Sequence, residues 1–272
     1  MKQKNRTLKR QARELLLPAW NRHILVSFIV FAVSLVSSSI TGLFEGAAVN
    51  TSADAEGISR LAPVFSFLSS AIMELIIGLV MAGALLYFLK LVRNETPSAK
   101  DVFSVFRMQP DRFLIVGIIE LAAGAVCFGP AYIVNDVTGR ASTVAINGAD
   151  SPAAAADVIA PPSPAVIAAI IALLIAGGIV YVWIRLSLIL SDFILLDNPE
   201  MGAIAAMAES LHLMKNRKKE LFLLLLSMAG YFVIAACTMF IGLLWVMPYV
   251  MTSLAYFYES VVSDRKSGEG LA

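Results

Sequence analysis

Residues 165–190 read AVIAAIIALLIAGGIVYVWIRLSLIL, an apolar run interrupted by one charge, Arg185. A bilayer core is about 30 Å thick and a helix crossing it needs about 20 apolar residues. This run is long enough. Three more of the same kind precede it: His23 to Leu43, Pro63 to Leu89 and Phe113 to Val134. A longer one follows, from Leu221 to Val262. As a single helix it would measure about 63 Å, twice what a bilayer needs. It is therefore expected to fold back as a hairpin, turning near Thr238 to Gly242, where Gly242 permits a sharp backbone conformation. Pro248 then falls in the first turns of the last helix, where a missing N–H costs least. The predicted fold is all-α: a polytopic transmembrane helix bundle with spans at 23–43, 63–89, 113–134, 165–190, 221–238 and 243–262.

Composition points the same way. Of the 272 residues, 58% are hydrophobic and 15% charged, against about 45–50% and about 25% in soluble globular proteins. The net charge of +1 identifies no partner. Two cysteines, Cys127 and Cys237, lie inside apolar runs and suggest buried thiols rather than a disulfide framework or metal site. The N-terminal basic stretch is too long for a cleavable signal peptide, so the first span is expected to remain as an anchor.

Lysine and arginine placement sets the expected orientation. With the N-terminus cytoplasmic, 19 of the 21 basic residues fall inside, and only Arg60 and Arg140 fall outside. Both termini are then cytoplasmic, with residues 263–272 as a tail. The segment 135–164, rich in Ala, Pro, Ser and Asp, reads as a flexible extracytoplasmic loop.

The cytoplasmic segments carry amphipathic patterns. In the helix predicted over 5–17, Leu8, Ala12, Leu15 and Leu16 share a face, with Lys9, Arg10 and Arg13 away from it. Pro18 ends it and Trp20 takes an interfacial position. Ala99, Val102, Phe103 and Phe106 repeat the spacing of a helical stripe. Asn198-Pro199-Glu200 reads as a helix start, followed by a stripe of Ile204, Met207, Ala208, Leu211 and Met214. The basic residues Lys215, Arg217, Lys218 and Lys219 close that helix, suited to its dipole and to anionic head groups. An amphipathic helix thus precedes each hairpin of spans.

No pattern for chemistry emerges. His23 and His212 have no metal-ligand spacing, and there is no phosphate-binding glycine loop, nucleophile elbow or paired metal-carboxylate motif. No cofactor, no metal and no nucleic-acid partner is expected, and the chain is not expected to be an enzyme. The residues that invite suspicion are ionisable groups inside spans, which are costly in lipid. Measured from each span's midpoint, Glu74 lies roughly 3 Å toward the outside, Glu120 roughly 5 Å and Arg185 roughly 11 Å toward the inside. Glu120 and Arg185 are close enough in depth to pair. Glu74 needs another partner or protonation. Interhelical glue is one reading, and a proton- or ion-coupled transport path the alternative. The pairs Gly42 and Gly46, Gly78 and Ala82, and Ser34 and Ser38 offer close-packing steps, expected within the monomer.

The stretches FILLDNPEMGAIAAMAESLHLMKNRKKELFLLLL and GLLWVMPYVMTSLAYFYES resemble a family of small multipass membrane proteins of uncharacterised function, found mainly in Gram-positive bacteria. The resemblance rests on Asp197-Asn198-Pro199, on Met214, Lys215, Arg217 and Lys218, on Gly242 to Trp245 with Pro248 and Tyr249, and on Phe257 and Tyr258. In the opening segment LKRQARELLLPAW, Ala12, Arg13, Leu16 and Trp20 match. Where such proteins carry a Pro-Gly step in the fourth span, this chain has Ile175-Ala176-Gly177-Gly178. The resemblance implies the multipass fold and no catalytic residues. It also implies an accessory role in envelope or lipid biology. The expected function is thus a non-enzymatic scaffold or accessory factor in the cell membrane, with a membrane-protein partner or a second copy of itself. The alternative is a small transporter or channel-like protein using Glu74, Glu120 and Arg185. A membrane lipid enzyme ranks last.

Overall fold

The computed structural model describes residues 2–51, 62–147 and 163–269, and among them all regular structure is helical. α1 (Lys2–Leu16) passes through a 3-10 turn at Leu17–Ala19 into α2 (Trp20–Thr51). α3 (Ala62–Val92), a short 3-10 helix (Ala99–Arg107), α4 (Pro110–Asn147) and α5 (Pro164–Leu188) follow. Then come α6 (Ser191–Asp197), α7 (Ala203–Leu213), α8 (Lys218–Leu226), α9 (Ala229–Cys237) and α10 (Leu243–Glu269).

Five stretches are long and apolar enough to cross a membrane: Asn5–Leu43, Val64–Val92, Pro110–Asn135, Pro164–Asp197 and Lys218–Cys237. α10, where a sixth span is predicted, is 27 residues long but is not among them. Three tyrosines, Pro248, Thr252, Ser253 and Glu259 dilute its apolar run.

The chain divides into two compact units, one combining Met1–Ile118 with Leu186–Ala272 and the other spanning Ile119–Arg185. In the first, α3 has two different halves. From Val64 to Gly78 it is exposed or half-buried throughout, although Val64, Phe65, Phe67, Leu68, Ile72 and Ile76 are apolar. From Leu79 to Leu89 every residue except Met81 is buried. A helix apolar on all sides has to be enclosed. α2, α6, α10 and the 3-10 helix supply the enclosure.

The closest approach is at Gly83. A Cβ there would overlap the Val102 carbonyl, so only glycine lets the 3-10 helix lie against α3. Val102 and Val105 are fully buried in that contact. The 3-10 helix opens on a capping box, in which the Ser98 side chain accepts from a backbone N–H and the Asp101 carboxylate accepts from Ser98 N at 2.9 Å. Asp101 also lies 3.2 Å from Lys90 Nζ on α3.

In the second unit α4 and α5 cross closely. Gly177 admits the backbone of Cys127, where a Cβ would overlap its carbonyl oxygen, and the rings of Phe128 and Tyr181 lie 5.4 Å apart. Apart from that crossing the two helices present apolar side chains outward, among them Val126, Ile133, Ile175, Ile179 and Trp183.

Several expectations need correction. Leu8, Ala12 and Leu16 of α1 are buried by protein, with α1 packed on α10 and α8, because α10 offers it an apolar face. In the predicted stripe between α3 and α4, Val102 is covered but Phe103 and Phe106 are exposed on the other side. α7 begins at Ala203, not at Asn198. Asn198 closes α6 instead, with its backbone N–H and its side-chain Nδ2 both donating to the Ile194 carbonyl, and Pro199 blocks continuation. Of the α7 stripe, Met207 and Met214 are buried, whereas Ile204, Ala208 and Leu211 are exposed. Residues 135–147, expected as loop, continue α4 to Asn147, since lengthening a formed helix costs far less than starting one. The rest of that loop, 148–162, lies outside the described residues. At the turn between α9 and α10 the left-handed residues are Met239 (φ 50°) and Phe240 (φ 65°), not Gly242. Gly242 is needed for space: a Cβ would come within 2.8 Å of Thr238 Oγ1 and 2.9 Å of Ala235 Cα. Cys237 is exposed and Cys127 half-buried, so the thiols are not both core groups.

The glycines separate by role. Gly83→Ala and Gly177→Ala are expected to lower resistance to denaturant in detergent by about 1–3 kcal/mol each, through forced separation of packed backbones. At Gly42 and Gly78 an added methyl would meet nothing within 4 Å, so Gly42→Ala and Gly78→Ala are expected to be neutral or slightly stabilising. Parallel SDS or urea titrations followed by circular dichroism would check the contrast.

Candidate functional site

Polar side chains concentrate where α3 and α6 end beside α10. α3 terminates in a Schellman-type cap: Asn94 takes a left-handed conformation (φ 59°), Glu95 N donates to Lys90 O at 3.0 Å and Asn94 N to Leu91 O at 3.1 Å. This cap fixes the backbone at Arg93. Its guanidinium forks around two carboxylates. Nη1 and Nη2 donate to Asp197 Oδ1 and Oδ2 at 2.7 and 2.8 Å, and Nε donates to Glu259 Oε1 at 2.6 Å. The Tyr258 hydroxyl donates to Asp197 Oδ2 at 2.7 Å. The Tyr258 ring stacks on Phe193, one turn before Asp197 on α6, with centroids 5.0 Å apart.

Hydrogen bonding to Asp197 raises the Arg93 pKa above the ordinary arginine value. Burial works in the other direction, and the bond to Glu259 adds to the rise. A cation whose folded pKa is raised contributes stability at every pH below its unfolded pKa. For arginine that range covers all ordinary conditions. Arg93 is therefore a permanent charge.

Further ion pairs tie α10 to its neighbours. Arg217 Nη1, just before α8, lies 2.8 Å from Asp264 Oδ2, and Arg265 pairs with Glu209 of α7. Arg112, near the start of α4, donates to the Met201 carbonyl at 3.0 Å. Asn5 of α1 donates to the Glu220 carbonyl at 3.3 Å.

The intramembrane candidates divide. Glu120 and Arg185 form an ion pair between α4 and α5 within the second unit. Glu74 is exposed on α3 and makes no hydrogen bond or ion pair among the described residues. Of the basic residues expected at lipid head groups, Arg10 pairs with Glu14 one turn on, at 2.7 Å. Arg13, Lys215 and Lys219 are exposed, Lys9 and Lys218 are intermediate, and Arg217 is committed to Asp264. His23 is buried with Nδ1 3.1 Å from the Tyr87 hydroxyl, and His212 is exposed.

Sequence reasoning missed the Arg93 cluster as a site. Glu259 is an acid inside a predicted span and belonged with Glu74 and Glu120 on the costliness argument. Asp197 and Tyr258 stood in the family-resembling stretches. Arg93 was legible only as a topogenic charge.

Arg93→Lys retains the charge but cannot fork between two carboxylates. It is expected to lose most of what Arg93→Ala loses, about 1–2 kcal/mol for partly exposed, charge-assisted bonds. Tyr258→Phe should cost less, about 1 kcal/mol. Thermal or SDS unfolding of the purified protein checks the order, and an Arg93→Lys variant as stable as wild type contradicts it.

No curated protein and no solved structure matches the chain. The family described as "Protein of unknown function (DUF975)" matches residues 1–265, nearly the whole length, and the chain belongs to that family.

Proposed function

We propose that this protein is a non-enzymatic scaffold or accessory factor of the bacterial cell envelope, seated in the cell membrane by six spans with both termini in the cytoplasm. The observation that carries the reading is the gathering of fixed charges at one end of the first unit. Arg93 with Asp197 and Glu259, Arg217 with Asp264, and Glu209 with Arg265 pair along the C-terminal part of α10 and at the ends of α3 and α6. Those arginines belong to the 19 basic residues that the positive-inside rule assigns to the cytoplasm. The far half of α3 is largely apolar and exposed or half-buried, a surface that lipid would take up.

On this reading residues 243–262 of α10 complete the sixth span, and its mixed composition reflects enclosure by protein: Val250 to Ala255 are buried. α7 lies at the cytoplasmic interface with Ile204, Ala208 and Leu211 toward lipid, and Lys215, Lys218 and Lys219 near anionic head groups. The Glu120–Arg185 pair serves as glue between α4 and α5. The working surface is the cytoplasmic face, where a membrane-protein partner or second copy would dock.

Glu74, exposed and without a partner among the described residues, is the one observation favouring a transport reading. The double variant Glu74→Gln with Glu120→Gln separates the two. In proteoliposomes under a pH gradient, a scaffold passes no protons in either form. Wild-type flux that disappears in the variant would replace the scaffold reading with transport. The glue role predicts a coupling of about 0.5–3 kcal/mol between Glu120→Gln and Arg185→Leu in a double-mutant cycle, and additive losses would remove it.

A further inference from the structure

We infer that the segment joining α3 and α4 is a re-entrant membrane element, with the 3-10 helix Ala99–Arg107 set among the acyl chains of the leaflet on the Arg93 side and Phe103, Phe106 and Met108 in contact with lipid. The inference rests on the membrane reading above.

Two independent registers place the segment. The Val102 carbonyl seats on Gly83, which lies nine residues before the end of α3 at Val92. At 1.5 Å per residue, the 3-10 helix has folded back roughly 14 Å along α3. The second register comes from α4. Gly117 abuts the Leu75 side chain, with a Cβ position 2.8 Å from Leu75 Cδ2. Leu75 is 17 residues from the end of α3, whereas Gly117 is only seven from the start of α4. Along the helix axes these are roughly 26 Å and roughly 10 Å. The connection must therefore climb back roughly 15 Å before α4 begins, in agreement with the seat on Gly83.

Chemistry suits that depth. Backbone at membrane level persists only where it is shielded by protein or its polar groups are satisfied internally, as in a helix, and the segment Ala99–Arg107 is helical. Val102 and Val105 are covered by protein. Asp101 is occupied by Lys90 and by the cap at Ser98, and the Ser104 hydroxyl donates to the Asp101 carbonyl at 2.7 Å. On the other side Phe103, Phe106 and Met108 are 46%, 41% and 36% exposed, with the two rings 6.4 Å apart. An aqueous surface would not favour two neighbouring phenyl rings at that position. Lys100 and Arg107, near the two ends, are exposed, and their flexible stems let the charges lean toward the head groups.

The test is depth-dependent fluorescence quenching. Trp20, Trp183 and Trp245 are replaced by Phe, and single tryptophans are introduced as Phe103→Trp, Phe106→Trp, Ile72→Trp and Asn94→Trp. Each protein is reconstituted into phosphatidylcholine–phosphatidylglycerol vesicles with bromine on the acyl chains. Phe103→Trp and Phe106→Trp should lose roughly half of their emission, as Ile72→Trp does on the exposed half of α3, while Asn94→Trp is little affected. Quenching of Ile72→Trp without quenching at 103 and 106 overturns the re-entrant element and leaves the membrane reading standing. Absence of quenching at Ile72 as well overturns both. Should the tryptophan background fail to fold, Phe106→Cys and Asn94→Cys are compared with Cys127 and Cys237 replaced by Ser. A membrane-impermeant maleimide should label Asn94→Cys at least tenfold faster, and equal rates overturn the proposal.

Discussion

Residues 79–89 of α3 are apolar on every face, and a helix of that kind cannot end at an aqueous boundary without a jacket. That constraint organises the first unit. α2, α6, α10 and the 3-10 helix are the jacket, and each meets α3 in its own way. α2 brings His23 to Tyr87. The 3-10 helix comes close enough for its backbone to touch Gly83, a distance that any side chain at position 83 would forbid. α6 and α10 reach the end of α3, and Arg93 closes the arrangement there by bonding to both. The far half of α3, also rich in apolar residues though it holds Ser66, Ser69, Ser70 and Glu74, has no comparable jacket. The same residue types thus meet two environments along one helix, and what separates them is which neighbours the chain supplies.

The closure at Arg93 follows from geometry more than from charge. A lysine could neutralise one carboxylate. Holding Asp197 through both oxygens and Glu259 through Nε takes the planar fork of a guanidinium. The Tyr258 hydroxyl takes a further lone pair on Asp197, so that the carboxylate is held from two helices at once. A half-buried network of this kind contributes modestly to stability but strongly to uniqueness: the ends of α3 and α6 can meet α10 in few other registers.

Much of this was legible from residue type. Apolar run length identified the long helices, and the need to fold Leu221–Val262 back placed the turn between α9 and α10. Depth counting paired Glu120 with Arg185. Illegible were the contacts that depend on the face of a neighbour. The amphipathic stripe of α1 has the pattern of an interfacial helix, and the pattern is the same whether lipid or α10 covers Leu8, Ala12 and Leu16. The stripe around Val102 conceals a split, because Val102 and Val105 face protein and Phe103 and Phe106 do not. Gly83 and Gly177 carry the two closest backbone approaches, whereas the small-residue steps at Gly42 and Gly78 border open space. Spacing alone does not reveal whether a glycine meets a partner. The Arg93 cluster was missed because its members come from three separate regions of the chain, and each looked ordinary alone.

The acids within the apolar helices show how context divides one residue type. Glu120 meets an arginine, and Glu259 meets a guanidinium at the end of a helix. Glu74 stands on the half of α3 that protein does not cover. An acid facing hydrocarbon is costly unless a neighbour donates to it. One turn back from Glu74, the Ser70 hydroxyl is already engaged, donating to the Ser66 carbonyl at 2.9 Å. Glu120 and Glu259 are each held by an arginine brought from elsewhere in the chain. Glu74 has no such partner among the described residues, so the same residue type that fastens helices at two places leaves the exposed half of α3 with a polar group that only its surroundings can satisfy.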